Sequence, residues 1–186
     1  MSDPEERIRF ASIWAQDEAG VLGDGKRMLW RVPEDFKHFR ANTLGHPVIM
    51  GRRSFEALGG ALGGRTNIVL TSNETFEAPG VTVARSLDEA FALGRKAAAE
   101  MGVDTVWIAG GGKVYEDTMD SVDELVITHL LFPPETVREG QGDDMRLVRA
   151  PRVDRTVWKV DPHRSDQSWR PRSGDAKWKV VTYVRR

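Results

Sequence analysis

The sequence predicts an α/β fold: a single-domain, mixed, mostly parallel eight-stranded sheet flanked by about four helices, with an antiparallel strand pair at its C-terminal edge. Three observations predict it. Short, nearly all-apolar runs alternate with helical patterns through the first two thirds of the 186 residues, as strands buried on both faces of a parallel sheet require. Several of these runs end in Gly-rich or polar clusters, as sheet strands feeding loops and helix starts do. After Tyr115 no helical pattern separates the remaining strand-like runs, so the last strands add an antiparallel edge.

The elements follow in order. Residues 8–15 (IRFASIWA) read as the first strand. A helix begins at Val32-Pro33-Glu34-Asp35: Pro33 has the fixed φ of a first helical residue, and two acids complement the helix dipole. Phe36 and Phe39 share one side of it, and Asn42 and Gly45 mark its exit. Residues 47–50 (PVIM), 66–71 (TNIVLT), 81–84 (VTVA) and 104–110 (DTVWIAG) are further strands, and FEAL after Ser54 starts a short helix. The clearest helix covers 86–101, with Ser86 and Glu89 as a capping box, an apolar stripe through Leu87, Ala90, Phe91, Ala97 and Met101, and Gly102 as its stop. Another helix starts near Val114 and Tyr115. Residues 124–132, 156–160 and 177–184 are the closing strands, while 133–144 and 161–175, rich in Pro, Gly and charge, read as loops.

Composition narrows the function. Lys and Arg total 27 against 28 Asp and Glu, so overall charge makes no case for nucleic acid or an anionic membrane. Residues 137–186 nevertheless hold 13 basic and 7 acidic residues, a bias that reads first as a solvated hairpin surface. With no cysteine, disulfides, thiol catalysis and thiolate metal sites are excluded. The start, MSDPEERIRF, has no cationic segment followed by an apolar run, and no stretch approaches the roughly 18 apolar residues of a membrane span. The expectation is one cytoplasmic domain over 1–186. No histidine spacing suggests a metal, and no Ser-His-Asp pattern presents itself.

Three strand-end clusters suit an anionic ligand. Gly110-Gly111-Gly112 follows the strand WIA and precedes a helix start, where glycine lets a phosphate approach free N–H groups. It fits neither the dinucleotide fingerprint, which needs a third Gly where Tyr115 stands, nor a P-loop. Gly51-Arg52-Arg53-Ser54 and Thr71-Ser72-Asn73 also follow strands, and ligands of open α/β sheets gather at such ends. Taken singly, the glycine cluster reads equally as a tight turn, and the arginines read first as solvated side chains. Asp35 stands near Met28, Leu29, Trp30, Phe36 and Phe39; it is either a dipole-complementing acid or a desolvated carboxylate of raised pKa.

These pieces, in this order, resemble dihydrofolate reductases of the bacterial type: IWAQDEAGVLG, W-x-x-P-x-D-x-x-x-F from Trp30 to Phe39, PVIMGRRSFEALG, GRTNIVLTS, WIAGGGKVYE and VITH. The resemblance runs from about residue 8 to 131, weakens, and returns in the last strand. It implies NADPH as hydride donor and dihydrofolate as acceptor, in a monomer open to antifolates. Asp35 then matches the carboxylate that hydrogen-bonds the pterin N3 and 2-amino group, and Thr128 the threonine supporting it; Asp35 polarises the ring while water protonates N5. Met28 and Trp30 fall in the loop that closes over the nicotinamide. Ile13, Trp14 and Ala15 border pterin and nicotinamide, Phe39, Leu58 and Leu62 hold the p-aminobenzoyl group, and Arg65 grips the glutamate α-carboxylate. Arg52, Arg53, Ser54, Thr71 and Ser72 match the cofactor's phosphate contacts. Leu22, Gly51, Leu70 and the stretch from Gly110 through Lys113, Val114 and Tyr115 complete its walls, with Gly110-Gly111 as the family's cis bond.

Departures are Leu29 where the family usually has Pro, Ala109 where Ile or Val is common beside the pterin, and a longer 133–141 stretch, which leaves the loop contact near Asp143 unassigned. A neighbour such as Ile13 or Trp14 could fill the space Ala109 leaves, and Trp14 is bulky enough to do so. Two rivals differ in residues: a pyrimidine reductase of riboflavin synthesis would lack the Trp30–Phe39 pattern and Arg65, and a non-catalytic NADPH sensor has no use for a desolvated Asp35.

Overall fold

The computed structural model describes Asp3 and residues 7–24, 29–134 and 147–186. Met28, Asp143 and most of the 133–144 stretch, all singled out above, lie outside the described residues.

The strands are β1 (Arg9–Gln16), β2 (Val21–Gly23), β3 (Pro47–Gly51), β4 (Thr66–Leu70), β5 (Val81–Ala84), β6 (Thr105–Ile108), β7 (Glu124–Leu131), β8 (Val148–Arg149), β9 (Trp158–Val160), β10 (Arg170–Ser173) and β11 (Ala176–Arg185). The helices are α1 (Pro33–Thr43), α2 (Arg52–Ala57), α3 (Leu87–Met101) and α4 (Gly112–Thr118). Eight strands form one path, β10-β11-β7-β1-β6-β3-β4-β5, and short β9 pairs onto β11 as a ninth. From β5 to β7 every pairing is parallel. β11 joins β7 antiparallel, and β10 joins β11 in the same sense. The mixed, mostly parallel sheet with four helices and an antiparallel C-terminal edge is the architecture the sequence predicts.

Alternation along the strands divides the core. Ala11, Ile13, Val126, Leu130, Trp178 and Val180 pack in one cluster with Trp30 and Val32. Phe10, Trp14, Leu125, Ile127, Val181 and Tyr183 pack in the other, where α3 contributes Ala90 and Ala98. In α3 the Ser86 hydroxyl accepts the Glu89 N–H and Gly102 closes the helix at φ +68°. The Glu89 carboxylate accepts the N–H of Arg85, one residue before the cap, instead of that of Ser86.

The 161–175 segment departs from the loop reading. It carries a 3-10 turn at Pro162–Arg164 and the strand β10. β10 (RPRS) has no apolar alternation because it is an exposed edge strand, so periodicity gives no sign of it. β2 and β8, three and two residues long, pair only with each other and are too short to carry a pattern.

The turn between β10 and β11 fixes the entry to α1. Val32 caps that helix without a side-chain hydrogen bond. Ser173 Oγ supplies the missing acceptor, taking the Glu34 N–H at 3.0 Å. The Asp175 carboxylate accepts the Arg31 N–H at 2.7 Å, and the Asp175 N–H donates to the Arg31 carbonyl at 3.0 Å. The chain is thus clasped at residues 31–34, immediately before Asp35.

Candidate active site

Asp35 is the third residue of α1 and is 9% exposed. Thr128 on β7 donates its hydroxyl to Asp35 Oδ1 at 2.7 Å. Burial raises the Asp35 pKa above the usual carboxylate range, and the Thr128 hydrogen bond opposes that rise. Ala15 pairs in register with Thr128, so the end of β1 lies beside this carboxylate.

Tyr115 on α4 is buried and donates its hydroxyl to the Ile13 carbonyl at 2.6 Å. Burial, and secondarily the charge on Asp35, push its pKa up, which keeps it a donor. Trp30 is buried with its ring 5.7 Å from that of Phe132. Its indole Nε1 has no hydrogen-bond partner among the described residues, an orphan donor in the same cluster as Ile13. Phe39, Leu62 and Ala109 are partly buried against that cluster. Leu58 and Phe36 are large apolar side chains left 46% and 47% exposed, an uncovered apolar surface of the kind that lines binding clefts. The Trp14 ring lies with the other cluster, 4.9 Å from Tyr115, and its Nε1 donates to Gln16 at 2.8 Å. Ile13, by contrast, belongs to the cluster that Ala109 borders.

Arg65 is held by two bonds, Nε to the Gly63 carbonyl at 2.9 Å and Nη1 to Thr43 Oγ1 at 3.1 Å. Desolvation, and then the nearby Arg40 charge, lower its pKa. Two guanidinium groups close enough to repel suit a carboxylate between them. Arg40 is a residue that the sequence reading missed; a second cation on the α1 face was its only trace.

Register brings the predicted anion cluster together. Gly51 at the end of β3 pairs with Leu70 at the end of β4, and Ile49 pairs with Ile108 just before Ala109. Gly51 donates its N–H to the Gly110 carbonyl at 2.8 Å. Gly110-Gly111 is a cis peptide. A Cβ at Gly110 or Gly111 would stand 2.9 or 3.1 Å from Ser54 Oγ, and one at Gly112 would stand 2.6 Å from Val148 with Leu22 nearby. At φ +112° a side chain at Gly110 would be strained as well as crowded. Gly51 and Gly111 supply no side-chain cap to the helices they open, which leaves first-turn N–H groups without an intrahelical acceptor.

Arg52 and Arg53 are exposed in the first turn of α2. Arg52 Nε bonds Glu56 at 2.8 Å, and its guanidinium lies 5.9 Å from the centroid of Phe76, a further residue that the sequence reading missed. Thr71 Oγ1 accepts the Asn73 N–H, and Ser72 is exposed beside it. Val114 is partly buried and packs toward Gly51, whereas Lys113 pairs with Asp117 at 3.2 Å. Among the described residues no group of three or more His, Asp or Glu could hold a metal ion, and no helix is long and apolar enough to cross a membrane.

A mostly parallel sheet with a glycine-built crevice at its strand ends, next to one buried carboxylate in an apolar chamber, defines an α/β enzyme that brings a nucleotide against a planar substrate. Comparison with known proteins makes the class specific. The family model described as dihydrofolate reductase matches residues 9–185. The chain is 34% identical over 170 residues to dihydrofolate reductase HdrB of Haloferax volcanii, covering 89% of this chain and 82% of that protein. It is 33% identical over 142 residues to the dihydrofolate reductase of Staphylococcus aureus, covering 72% and 84%. A solved structure, dihydrofolate reductase from Enterococcus faecalis complexed with NADP(H) and RAB-propyl, superposes with a TM-score of 0.78 at 30% identity, covering 95% of this chain and 96% of that one. The chain belongs to the dihydrofolate reductase family.

Proposed function

We propose that this chain reduces 7,8-dihydrofolate to 5,6,7,8-tetrahydrofolate with a hydride from NADPH, and that Asp35 is the carboxylate that holds and polarises the pterin. It does so as a cytoplasmic monomer, one domain over 1–186, that binds antifolates and neither nucleic acid nor membrane. The observation that carries this reading is the buried Asp35–Thr128 pair at 2.7 Å beside the crevice formed by Gly51, Gly110 and Gly111.

The crevice fits the cofactor: Arg52, Arg53, Thr71 and Ser72 would hold its phosphates, and the glycine cradle its backbone-contacting part. NADPH when bound supplies the hydride; the balanced reaction adds that hydride to C6 of the pterin and one proton to N5. Asp35 accepts hydrogen bonds from the pterin N3 and 2-amino group, and Thr128 keeps Oδ1 oriented toward them. The charge so placed raises the basicity of N5, which takes its proton from water. Tyr115 holds the Ile13 carbonyl at the junction of the two ligand sites. The Trp30 Nε1 donor is available to substrate or to a bound water, and its buried ring excludes bulk solvent. Incubation with NADPH and dihydrofolate should yield tetrahydrofolate identifiable by mass; a pyrimidine reductase or a cofactor sensor would leave the folate unchanged.

Arg52→Ala is expected to weaken NADPH by roughly tenfold to a hundredfold, the loss of one charge-assisted bond, and NADH far less, because only the 2′-phosphate distinguishes them. Glu56 already holds Nε and so orients the fork. Fluorescence titration with both cofactors decides it, and equal losses would assign the phosphate to Arg53 or Ser72.

Arg65→Leu is expected to raise the KM for dihydrofolate while sparing a pterin without the glutamate tail. Equal damage to both substrates would make Arg65 a purely structural partner of Thr43 and Gly63.

Ala109→Ile is expected to tighten a rigid diaminopyrimidine antifolate by up to roughly tenfold. Three added carbons at about 0.8 kcal/mol each set a ceiling near 2 kcal/mol, which relaxation reduces. The Trp14 ring lies in the other core cluster, which leaves Ile13 as the neighbour beside which the space is expected to be open. Unchanged or weaker inhibition in the variant would show that it is not.

A further inference from the structure

The Asp35 site takes only the Ser173–Asp175 clasp from the 161–175 segment and makes no use of the basic bias of the C-terminal third, and the rest of that segment borders a cavity of about 510 Å³. That volume lies within the roughly 300–1,000 Å³ of small-molecule sites. The cavity is on the far face of the sheet from Asp35. Thr128 points to Asp35, so its neighbour His129 points the other way, beside its register partner Lys179. With Tyr183 these two form the sheet wall, Asp166 and Trp169 come from the 161–175 segment, and Asp17 comes from the β1–β2 turn.

The acids of this wall are already engaged by the fold. Asp17 accepts the backbone N–H groups of Ala19 and Val21 at 2.8 and 2.9 Å. Asp166 accepts from Arg170 at 2.7 and 3.1 Å and from the Val180 N–H at 2.9 Å. Glu18 also borders the cavity but is exposed. The donors are not so engaged. Tyr183 also lines the cavity, and its hydroxyl makes no hydrogen bond among the described residues. The half-buried His129 imidazole likewise has none. The Lys179 ammonium has no carboxylate partner among the described residues and stands 4.7 Å from the centroid of the Trp169 ring. The Arg155 guanidinium, stacked 5.6 Å from the Tyr183 ring, adds further positive potential.

We propose that this cavity is a second ligand site, for a small flat ring bearing one carboxylate or phosphate group. Lys179 holds the anion, His129 and Tyr183 donate to it, and the Trp169 face stacks on the ring. Burial and the Lys179 charge lower the His129 pKa, so at neutral pH its uncharged ring offers one N–H donor.

The test uses the full chain saturated with NADPH and a diaminopyrimidine antifolate, which closes the Asp35 cleft to the probes. Benzoate, phenyl phosphate and inorganic phosphate are titrated in turn, read by NMR at the His129 ring and the amides of 165–169. Failure of the antifolate to bind speaks to the Asp35 reading; a shift at His129 speaks to this one. Benzoate or phenyl phosphate, whichever anion the site prefers, is expected to saturate with a Kd of about 1 mM or tighter. Binding should weaken roughly tenfold in Lys179→Gln and survive in Lys179→Arg, since the loss is that of a charge-assisted contact. Trp169→Ala should weaken the ring-bearing probe and leave inorganic phosphate unaffected. The proposal is overturned by no saturable shift with either ring-bearing probe, by a Kd unchanged in Lys179→Gln, or by inorganic phosphate binding as tightly as phenyl phosphate.

Discussion

Asp35→Asn is expected to leave a folded, NADPH-binding protein whose dihydrofolate turnover at pH 7 falls by roughly two orders of magnitude or more, the usual scale for a positioned acid–base group. The substituted amide preserves the shape beside Thr128 and removes the charge that polarises the pterin. Turnover should partly recover at low pH, where the substrate arrives already protonated at N5. Stability should move the other way. Burial raises the folded-state pKa of Asp35, so the folded state binds this proton more tightly than the unfolded state does. The contribution is fully favourable below the unfolded pKa and is lost as pH rises through the folded one. Above that window the parent carries a buried charge that the Asn variant lacks. The variant should therefore be no less stable than the parent at pH 7, with the difference vanishing toward acid. Thermal melts at pH 7 and pH 3.5 beside steady-state rates separate the two effects. Near-parental turnover at pH 7 would remove Asp35 from the chemistry.

Gly174→Ala carries the second large effect, far in sequence from the carboxylate. Gly174 has φ +58°, and a Cβ there would stand 2.2 Å from the Arg31 carbonyl oxygen and 2.9 Å from Pro33 Cδ. The left-handed conformation alone costs a side chain about 1–2 kcal/mol. The collision is with backbone, which cannot swing aside, and overpacking of this kind adds about 1–3 kcal/mol. The β10–β11 turn must then lift from residues 31–34, taking the Ser173 and Asp175 acceptors with it. A fall in Tm of about 4–20 °C is expected, from roughly 2–4 °C per kcal/mol at this chain length. Turnover should fall with it, because the clasp fixes the start of the helix that carries Asp35. An unchanged Tm would mean that the turn does not bear on α1.

The parts of the fold legible in the sequence are those written in local pattern. β3, β4, β5 and β6 are short apolar runs, and α3 announces itself by Ser86, Glu89 and Gly102. What is not legible depends on partners distant in sequence. β10 has a polar, exposed sequence and exists because β11 pairs with it. The cap of α1 comes from Ser173 and Asp175, on a turn that no periodicity connects to Val32. The site divides in the same way. Gly51, Thr71 and Gly110 can be suspected of sharing a crevice because each ends a strand. Asp35 reads like any first-turn acid until its order among Trp30, Phe39 and the glycines suggests the family, and its burial against Thr128 follows from pairing of β1 with β7. Which sheet face Trp14 joins follows from strand alternation once β1 is placed, and the same alternation puts Ile13 on the face that Ala109 borders.

The most direct test of the central claim, that the Asp35 chamber and the glycine crevice together reduce dihydrofolate, is absorbance at 340 nm on mixing protein and NADPH with and without dihydrofolate. The expected result is a fall that requires dihydrofolate, continues over many turnovers, and is nearly abolished by Asp35→Asn. A folded protein that binds NADPH yet shows no dihydrofolate-dependent loss of absorbance would contradict it.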